Sequence, residues 1–159
     1  MRKLFGSLIF DEMLKNPNIY LLTADLGFGV LDKCKETFSD RFYNTGAAEQ
    51  LLIGIGIGLA ESNKLPICYS ITPFLLYRPF EFLRNYVNYE NIPVKLVGAG
   101  RNKDYSHDGI SHWADDDEQV LSSLPNIKIF KPSSENELIK ILPEFLYSSQ
   151  PSYLNLKRQ

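Results

Sequence analysis

Five short apolar runs recur along the chain, each bounded by proline, asparagine, glycine or serine. Runs of this length and composition are typical of buried strands. The five predicted strands are 19–23, 66–70, 93–97, 127–130 and 152–156. Helix-length segments lie before and between them, and the predicted helices are 3–15, 49–62, 80–89, 116–123 and 136–147. Because strands and helices alternate, the pattern predicts an α/β fold with a parallel sheet flanked by helices.

Sites in open parallel sheets lie beyond the carboxyl ends of the strands. That rule selects four segments as candidate site loops, namely 23–29, 44–50, 71–74 with the residues that follow, and 98–113. The last predicted helix has a clear start, because Ser134 is followed three residues later by Glu137, as in a capping box. We therefore look for chemistry in the four loops rather than in the remaining connections.

Glu49 begins a predicted helix whose next ten residues, 51–60, are apolar on every face. We expect this helix to be buried and its first carboxylate to need a partner. The spacing leaves two interpretations open, since Glu49 either complements the helix dipole or carries chemistry. Gly54, Gly56 and Gly58 each cost roughly 1 kcal/mol relative to alanine inside a helix. Close packing of another helix or another chain is the expected compensation.

Other candidate residues lie in the remaining loops. Asp25 directly follows the first strand and is either a cap or a functional carboxylate. His107 and His112 lie in a long polar loop without the spacing of metal ligands, which leaves ligand hydrogen bonding and simple exposure as alternatives. Four aromatic residues lie within nine positions, which predicts either core packing or a pocket for a flat ring. They are Phe74, Tyr77, Phe80 and Phe82.

Composition and charge narrow the function classes. The 159 residues are 44% hydrophobic and 23% charged, with a formal net charge of −2, which predicts one folded domain and argues against nucleic acid and anionic membranes as partners. The apolar stretch 51–60 is too short to span a bilayer, and residues 1–15 lack a signal peptide's apolar core, so we expect a cytoplasmic protein. Cys34 and Cys68 are expected to be free, with Cys34 a surface thiol between two lysines.

Taken together, these segments resemble the pyrimidine-binding domain of transketolase and its thiamine diphosphate-dependent relatives. The resemblance covers nearly the whole chain in the family's order and close to its spacing. The matching segments are 2–4, 23–27, 41–50, 58–60, 74–84, 108–112, 124–126 and 151–159. The resemblance implies a single domain over residues 1–159 with the thiamine diphosphate-binding fold of the pyrimidine domain.

The resemblance also implies a role for Glu49. In the family, a glutamate at this position hydrogen-bonds the N1′ nitrogen of the cofactor's aminopyrimidine and promotes the imino tautomer that deprotonates the thiazolium carbon. It further implies an aromatic pocket for the pyrimidine ring formed by Phe74, Tyr77 and Phe80. Asp25 resembles the acidic residue near the cofactor and donor.

Substrate contacts follow from the same resemblance. His112 falls where the family has a substrate-contacting histidine, Arg2 and Arg158 where transketolase contacts a sugar phosphate, and Arg101 matches an arginine of the deoxyxylulose-phosphate synthase branch. Two residues depart from the ordinary pattern. They are Gly29, in place of a phosphate-binding serine, and Gly100, in place of a second histidine. A standard sugar-phosphate substrate is therefore not implied.

A Gly-Asp-Gly segment followed by asparagine, which holds Mg²⁺ and diphosphate in the family, does not occur in this sequence. We therefore expect a stand-alone pyrimidine subunit of a split transketolase-like enzyme, without the family's C-terminal domain. Thiamine diphosphate would be shared with a diphosphate-binding partner chain that holds Mg²⁺, in a heterotetramer. The reaction would transfer a two-carbon ketol or acyl unit from a sugar or 2-oxo donor. The alternatives are the pyrimidine subunit of a split 2-oxoacid decarboxylase and a non-catalytic partner of a complete transketolase.

Overall fold

The computed structural model describes residues 1–158 and contains one sheet of six strands, all parallel, in the order β2-β1-β3-β4-β6-β5. The predicted α/β class with a parallel sheet is confirmed. Gln159, which ends the predicted domain and the last matching segment, lies outside the described residues. The strands are β1 Ile19–Thr23, β2 Phe42–Asn44, β3 Leu65–Ile71, β4 Lys95–Ala99, β5 Lys128–Phe130 and β6 Ser152–Leu156.

Within residues 1–158, seven α-helical segments connect and flank these strands. They are α1 Arg2–Lys15, α2 Asp32–Thr37, α3 Glu49–Glu61, α4 Thr72–Tyr77, α5 Phe80–Phe82, α6 Asp117–Ser122 and α7 Glu135–Tyr147. Helix α5 continues into a π-helical segment, Leu83–Tyr89, and the loop after β4 contains short 3₁₀ turns at Ser106–Asp108 and Ile110–His112. The predicted cap of α7 is confirmed, because the Ser134 hydroxyl accepts the Glu137 backbone N–H at 3.2 Å.

Three elements were not predicted from the pattern. Strand β2 has three residues at the edge of the sheet, and its side chains are half-buried or exposed, so it lacks a strand's apolar signature. Helix α2 is only six residues long. Helix α4 lies where the sequence predicted a loop after the second strand; its Pro73 is tolerated in the first turn of a helix, where the missing N–H is not needed.

Side chains on alternate strand positions divide between two cores. Leu21 and Val97 belong to the first core with residues of α1, α2 and α7, whereas Leu22 and Leu96 belong to the second core with residues of α3 and α4. Cys34 is buried in the first core, so its predicted surface exposure was wrong. Both faces of the sheet are therefore covered by helices. Within residues 1–158, no helix is long and apolar enough to cross a membrane.

Helix α3 is buried on one face only, which corrects the prediction that it is buried all round. Leu51 is 54% exposed and Gly58 is also exposed. A Cβ at Gly56 would lie 2.7 Å from Cys68 Sγ, and one at Gly54 would lie 3.3 Å from the Phe82 ring. Because Gly54 and Gly56 have no side chains, Phe82 and Cys68 of the same chain can pack closely against α3. At Gly58, a Cβ would have nothing within 4 Å.

In open parallel sheets, ligands bind in the crevice where the strand order reverses, and here that point lies between β1 and β3. The chain passes from β1 to β2 on one side and then returns across β1 to β3 on the other, which makes this a topological switch point. All strands are parallel, so the loops that follow β1 to β4 lie at one edge of the sheet. The four loops selected from the sequence are these loops, and helix α3 begins at the same edge.

Candidate active site

Glu49 is the first residue of α3 and only 2% of its surface is exposed. Both carboxylate oxygens have partners. The hydroxyl of Ser70, near the end of β3, donates to Oε1 at 3.2 Å, and Nη1 of Arg78, just after α4, donates to Oε2 at 2.8 Å. The buried carboxylate is therefore held by a hydroxyl and a cation from two different elements, which goes beyond a first-turn partner of the helix dipole.

Arg78 lies between Glu49 and an aromatic ring. Its guanidinium carbon is 3.6 Å from the centroid of the Phe74 ring, and its side chain is 44% exposed. Phe74 lies in α4, which begins directly after the last residue of β3. The Arg78 guanidinium, a flat group that donates hydrogen bonds, thus occupies the space between the Glu49 carboxylate and the Phe74 ring. We call this space the Glu49–Phe74 pocket.

A strip of rings leads from this pocket to a pair of arginines. The Phe74 and His112 rings pack edge to face with centroids 4.7 Å apart, and the His112 ring lies 6.1 Å from that of Tyr105. The Tyr105 hydroxyl accepts a hydrogen bond from Arg2 Nη1 at 2.9 Å, and the Arg158 guanidinium lies 5.0 Å from the Tyr105 ring centroid. We call the three rings of Phe74, His112 and Tyr105 the aromatic strip.

The two arginines come from opposite ends of the chain. Arg2 begins α1, Arg158 follows β6, and Arg2 Nε donates to the Arg158 carbonyl at 3.0 Å. They line a cleft of about 530 Å³ together with Phe28 and Gly29. The backbone N–H of Arg158 donates to Asp104 at 2.8 Å, which fixes the chain end beside the loop after β4. Two guanidinium groups in one cleft favour an anionic ligand.

Tyr69, on β3, is fully buried and its hydroxyl has no hydrogen-bond partner within residues 1–158. Burial raises the pKa of the Tyr69 hydroxyl, and the nearby charge of Arg2 partly offsets that rise. The phenol therefore remains neutral, and it packs as a ring against Phe5 in the first core.

Three other predicted cofactor residues lie outside the aromatic strip. Tyr77 is 40% exposed and donates a hydrogen bond to Asp116. The pKa of the Tyr77 hydroxyl is raised, mainly by burial of the oxygen and to a lesser extent by that hydrogen bond. Phe80 packs on the second core. Asp25 is exposed and has a left-handed backbone with φ 49°, and its N–H donates to the Asn44 side chain at 2.9 Å. Their contacts with a cofactor remain predictions.

Arg101 is held firmly within the chain. Its Nε donates to Asn155 Oδ1 at 2.7 Å, and its Nη2 donates to the carbonyls of Asn155 at 2.7 Å and Pro132 at 3.1 Å. The Asn155 amide in turn donates to Thr72 Oγ1 at 3.2 Å, at the start of α4. Arg101 therefore helps to position the helix that carries Phe74, and its predicted contact with substrate remains untested.

Further polar groups extend this arrangement. Asn155 also donates to the Tyr153 hydroxyl at 2.9 Å, Tyr153 donates to Asp117 at 3.0 Å, and Asp117 pairs with Lys131 at 3.0 Å. Asn155, Tyr153 and Asp117 are buried, so each hydrogen bond satisfies a group that water does not reach. We call the whole set the polar network. Its members are Thr72, Arg101, Asp117, Lys131, Tyr153 and Asn155.

Three residues that the sequence did not single out either hold Glu49 or link His112 to the arginine pair. They are Ser70, Arg78 and Tyr105. Arg78 lies within the aromatic segment 74–82, but nothing in the sequence relates it to a glutamate 29 positions earlier. Among residues 1–158, no group of three or more His, Cys, Asp or Glu side chains is placed to hold a metal ion.

The parallel sheet, the switch point and the buried glutamate at the start of a site-edge helix define an α/β domain with a ligand site at its carboxyl edge. The whole chain, residues 1–159, matches the sequence model of the family described as "Transketolase, pyrimidine binding domain". The chain therefore belongs to the transketolase pyrimidine-binding domain family, which confirms the resemblance.

A solved structure described as a split gene transketolase, in an inactive tetramer, superposes with a TM-score of 0.86 at 30% sequence identity. The match covers 99% of this chain and 51% of that one. The family relationship and the pyrimidine-domain fold thus agree between sequence and structure.

Two related subunits extend the comparison. One subunit of the apulose-4-phosphate transketolase of Actinobacillus succinogenes is 37% identical over 119 residues, covering 75% of this chain and 38% of that protein. A subunit of the 6-deoxy-6-sulfo-D-fructose transketolase of Clostridium sp. strain MSTE9 is 26% identical over 160 residues, covering 100% of this chain and 50% of that protein. The chain spans about half the length, or less, of these relatives.

Proposed function

We propose that this chain is the pyrimidine-domain subunit of a thiamine diphosphate-dependent, transketolase-like transferase. One observation carries the proposal, namely the buried Glu49 carboxylate facing the Phe74 ring across a pocket that holds a planar cation. An aminopyrimidine protonated at N1′ is also flat, cationic and an N–H donor. The residues of the Glu49–Phe74 pocket therefore fit the cofactor's ring.

Each residue of the pocket has a distinct part. Glu49 holds the proton at N1′, and its burial strengthens that hydrogen bond because little water competes for the carboxylate. Ser70 keeps the other carboxylate oxygen oriented, and Phe74 stacks on the ring. Tyr77, Phe80 and Asp25 complete the proposed cofactor contacts. When bound, thiamine diphosphate supplies the nucleophilic thiazolium carbon to which the transferred unit is attached.

The substrate would lie along the aromatic strip. His112 stands between the Glu49–Phe74 pocket and the cleft of Arg2 and Arg158, so it can contact a substrate that extends from one to the other. The arginine pair suits an anionic end, since guanidinium groups bind phosphate and related oxyanions through paired hydrogen bonds. We therefore propose ketol transfer from a sugar donor with an anionic end, in preference to a small 2-oxo acid. Arg101 acts by positioning α4.

Diphosphate and Mg²⁺ would be held by a separate subunit. Several relatives are named as subunits or as products of a split gene, which supports a partner for this chain. The proposed assembly is a heterotetramer in which each cofactor lies between two kinds of chain. The exposed outer face of α3, with Leu51 and Gly58, offers a surface for that contact.

The test replaces Glu49 with glutamine in the complex with its partner subunit. The amide keeps the side chain's shape but cannot hold the N1′ proton in the same way, so hydrogen–deuterium exchange at the thiazolium carbon should slow by roughly 10²–10⁴-fold. Glu61→Gln, at the exposed end of the same helix, is the matched control and should leave exchange unchanged. Wild-type exchange in a folded, assembled Glu49→Gln complex would reject the assignment.

A further inference from the structure

We infer that Arg78 is a displaceable occupant of the ring site, holding the place of the aminopyrimidine until the cofactor binds. This inference rests on the proposed function of the Glu49–Phe74 pocket. The Arg78 guanidinium lies 2.8 Å from the Glu49 carboxylate and 3.6 Å from the centre of the Phe74 ring. Those are the two groups that the proposed function assigns to the cofactor's ring, so Arg78 and the ring compete for the same partners.

The chemistry of the two occupants is closely related. A guanidinium is planar, positively charged and rich in N–H donors, and it stacks on aromatic faces. An aminopyrimidine protonated at N1′ shares the planarity, the charge and the donor next to the carboxylate. Each can therefore satisfy Glu49 and cover Phe74, but the two cannot do so together.

The surroundings of Arg78 allow it to leave. Its side chain is 44% exposed, and it follows α4 at the surface, so the head group has water beside it. Arg101, by contrast, donates three hydrogen bonds to the chain. Water can therefore solvate the Arg78 guanidinium once it leaves Glu49, which keeps the cost of releasing the cation low.

The surroundings of Glu49 explain why the exchange is coupled to cofactor binding. Without Arg78 the buried carboxylate would keep only the Ser70 hydroxyl, and an uncompensated buried charge is unfavourable. Arg78 therefore keeps the site formed in the free chain and departs when the ring brings a new donor. Only a chain in which Arg78 has left Glu49 can bind the ring. The apparent affinity for the ring is therefore the intrinsic affinity multiplied by the fraction of chains in that state.

The first test measures binding of the isolated ring, 4-amino-5-hydroxymethyl-2-methylpyrimidine, to the full chain by NMR titration. Arg78→Leu removes the competing cation, so we expect it to bind the ring about tenfold more tightly than the wild type. Arg84→Leu is the matched control, because Arg84 is exposed in the π-helical segment and, within residues 1–158, its side chain bonds to its neighbour Asn85 alone. Its affinity should equal that of the wild type.

The second test needs no variant. Phenylglyoxal modifies accessible arginines, and peptide mass spectrometry reports the extent at each position. If the ring displaces Arg78 from Glu49, saturation with the ring should increase modification of Arg78 several-fold and leave Arg84 unchanged. A decrease would mean that Arg78 stays in the site and contacts the ring, which would overturn the displacement.

Glu49→Gln separates the role of Arg78 from the proposed function. If Glu49→Gln weakens ring binding while Arg78→Leu binds no more tightly than the wild type, the ring site stands and the role given to Arg78 is wrong. If Glu49→Gln leaves ring binding unchanged, the proposed function falls and the role of Arg78 falls with it. If the ring binds none of the proteins, the role of Arg78 in the free chain is wrong, whereas the proposed function is decided by the exchange experiment on the complex.

Discussion

Two arginines at the carboxyl edge of the sheet are held in contrasting ways. Arg78 pairs with one carboxylate oxygen of Glu49, and nearly half of its side chain is exposed. Arg101 donates to three oxygens of Asn155 and Pro132 and belongs to the polar network. The first arrangement leaves its cation free to be replaced, whereas the second joins three segments of the chain into one unit.

The difference separates an adaptable site from the frame that supports it. Thr72, at the start of α4, is bonded to the polar network, whereas Arg78, just after α4, contacts Glu49 and the Phe74 ring. A ligand pocket gains precision when its side chains project from a rigid element. The polar network therefore fixes α4, whereas Arg78 beside Glu49 is half-exposed and less constrained. Four predictions examine this distinction.

The largest effect is expected for Asn155→Leu. The substitution keeps the volume but removes the side-chain hydrogen bonds that Asn155 makes with Thr72, Tyr153 and Arg101 inside the protein. We expect the free energy of unfolding to fall by about 4 kcal/mol. Urea denaturation with an unchanged m-value would measure it. Asn136→Leu, at an exposed position of α7, is the control; an equally small loss at both sites would refute the supporting role of the network.

The next effect concerns the glycines of α3. Gly56→Leu should lower the free energy of unfolding by about 3 kcal/mol, because even a Cβ there would collide with Cys68 Sγ. Gly58→Leu should change it by less than about 1 kcal/mol, since no other element within residues 1–158 comes within 4 Å of a Cβ at that position.

Thermal unfolding of the isolated chain distinguishes the two glycine variants. Light scattering with the partner subunit then asks whether the exposed face of α3 takes part in assembly. Impaired assembly of a stable Gly58→Leu chain would place the partner on that face. Equal loss of stability in both variants would contradict the packing described for Gly56.

A smaller effect compares the two arginines directly. Arg101→Leu should lower the free energy of unfolding by about 2 kcal/mol, because three buried acceptors lose a charged donor. Arg78→Leu should lower it by about 1 kcal/mol or less, because shortening a half-exposed side chain lets water reach Glu49. Urea denaturation measures both, and a larger loss at Arg78 would reverse the assignment of frame and site.

The smallest effect is a pH dependence. Burial, followed by the charge of Asp117, raises the pKa of the Tyr153 hydroxyl well above its ordinary value. Because the native state then binds more protons than the unfolded state, stability is complete below about pH 10 and falls by about 1.4 kcal/mol per pH unit above it. Tyr153→Phe should make the alkaline loss less steep. Urea unfolding between about pH 10 and 11 measures this loss. If the free energy of unfolding fell equally steeply in the wild type and in Tyr153→Phe, Tyr153 would not be the source of the alkaline loss.

The fold was largely predictable because its strong signals are local. The runs 19–23 and 152–156 are apolar, short and bounded by turn residues, and both are strands with the predicted limits. Strand β2 and helix α2 were not predicted, because three half-buried or exposed residues and six mostly polar ones have no periodicity that distinguishes them from a loop.

The candidate site was predictable in part. The sequence selected candidate residues that the structure connects by contacts from the Glu49–Phe74 pocket, along the aromatic strip, to the arginine pair. They are Glu49, Phe74, His112, Arg2 and Arg158. The partner of Glu49 was not predicted, and neither was the fixed position of Arg101. Both depend on contacts between residues 29 and 54 positions apart.

The sequence by itself determined the α/β class, the loops that carry the site, and the carboxylate at the start of a largely apolar helix. These follow from hydrophobic periodicity and from the rule that parallel strands present their carboxyl ends together. Tertiary structure decided which arginine meets Glu49, which glycines of α3 face their own sheet, and which arginine is locked into the polar network. Those outcomes depend on the geometry with which separate segments pack, and local patterns in the sequence do not specify that geometry.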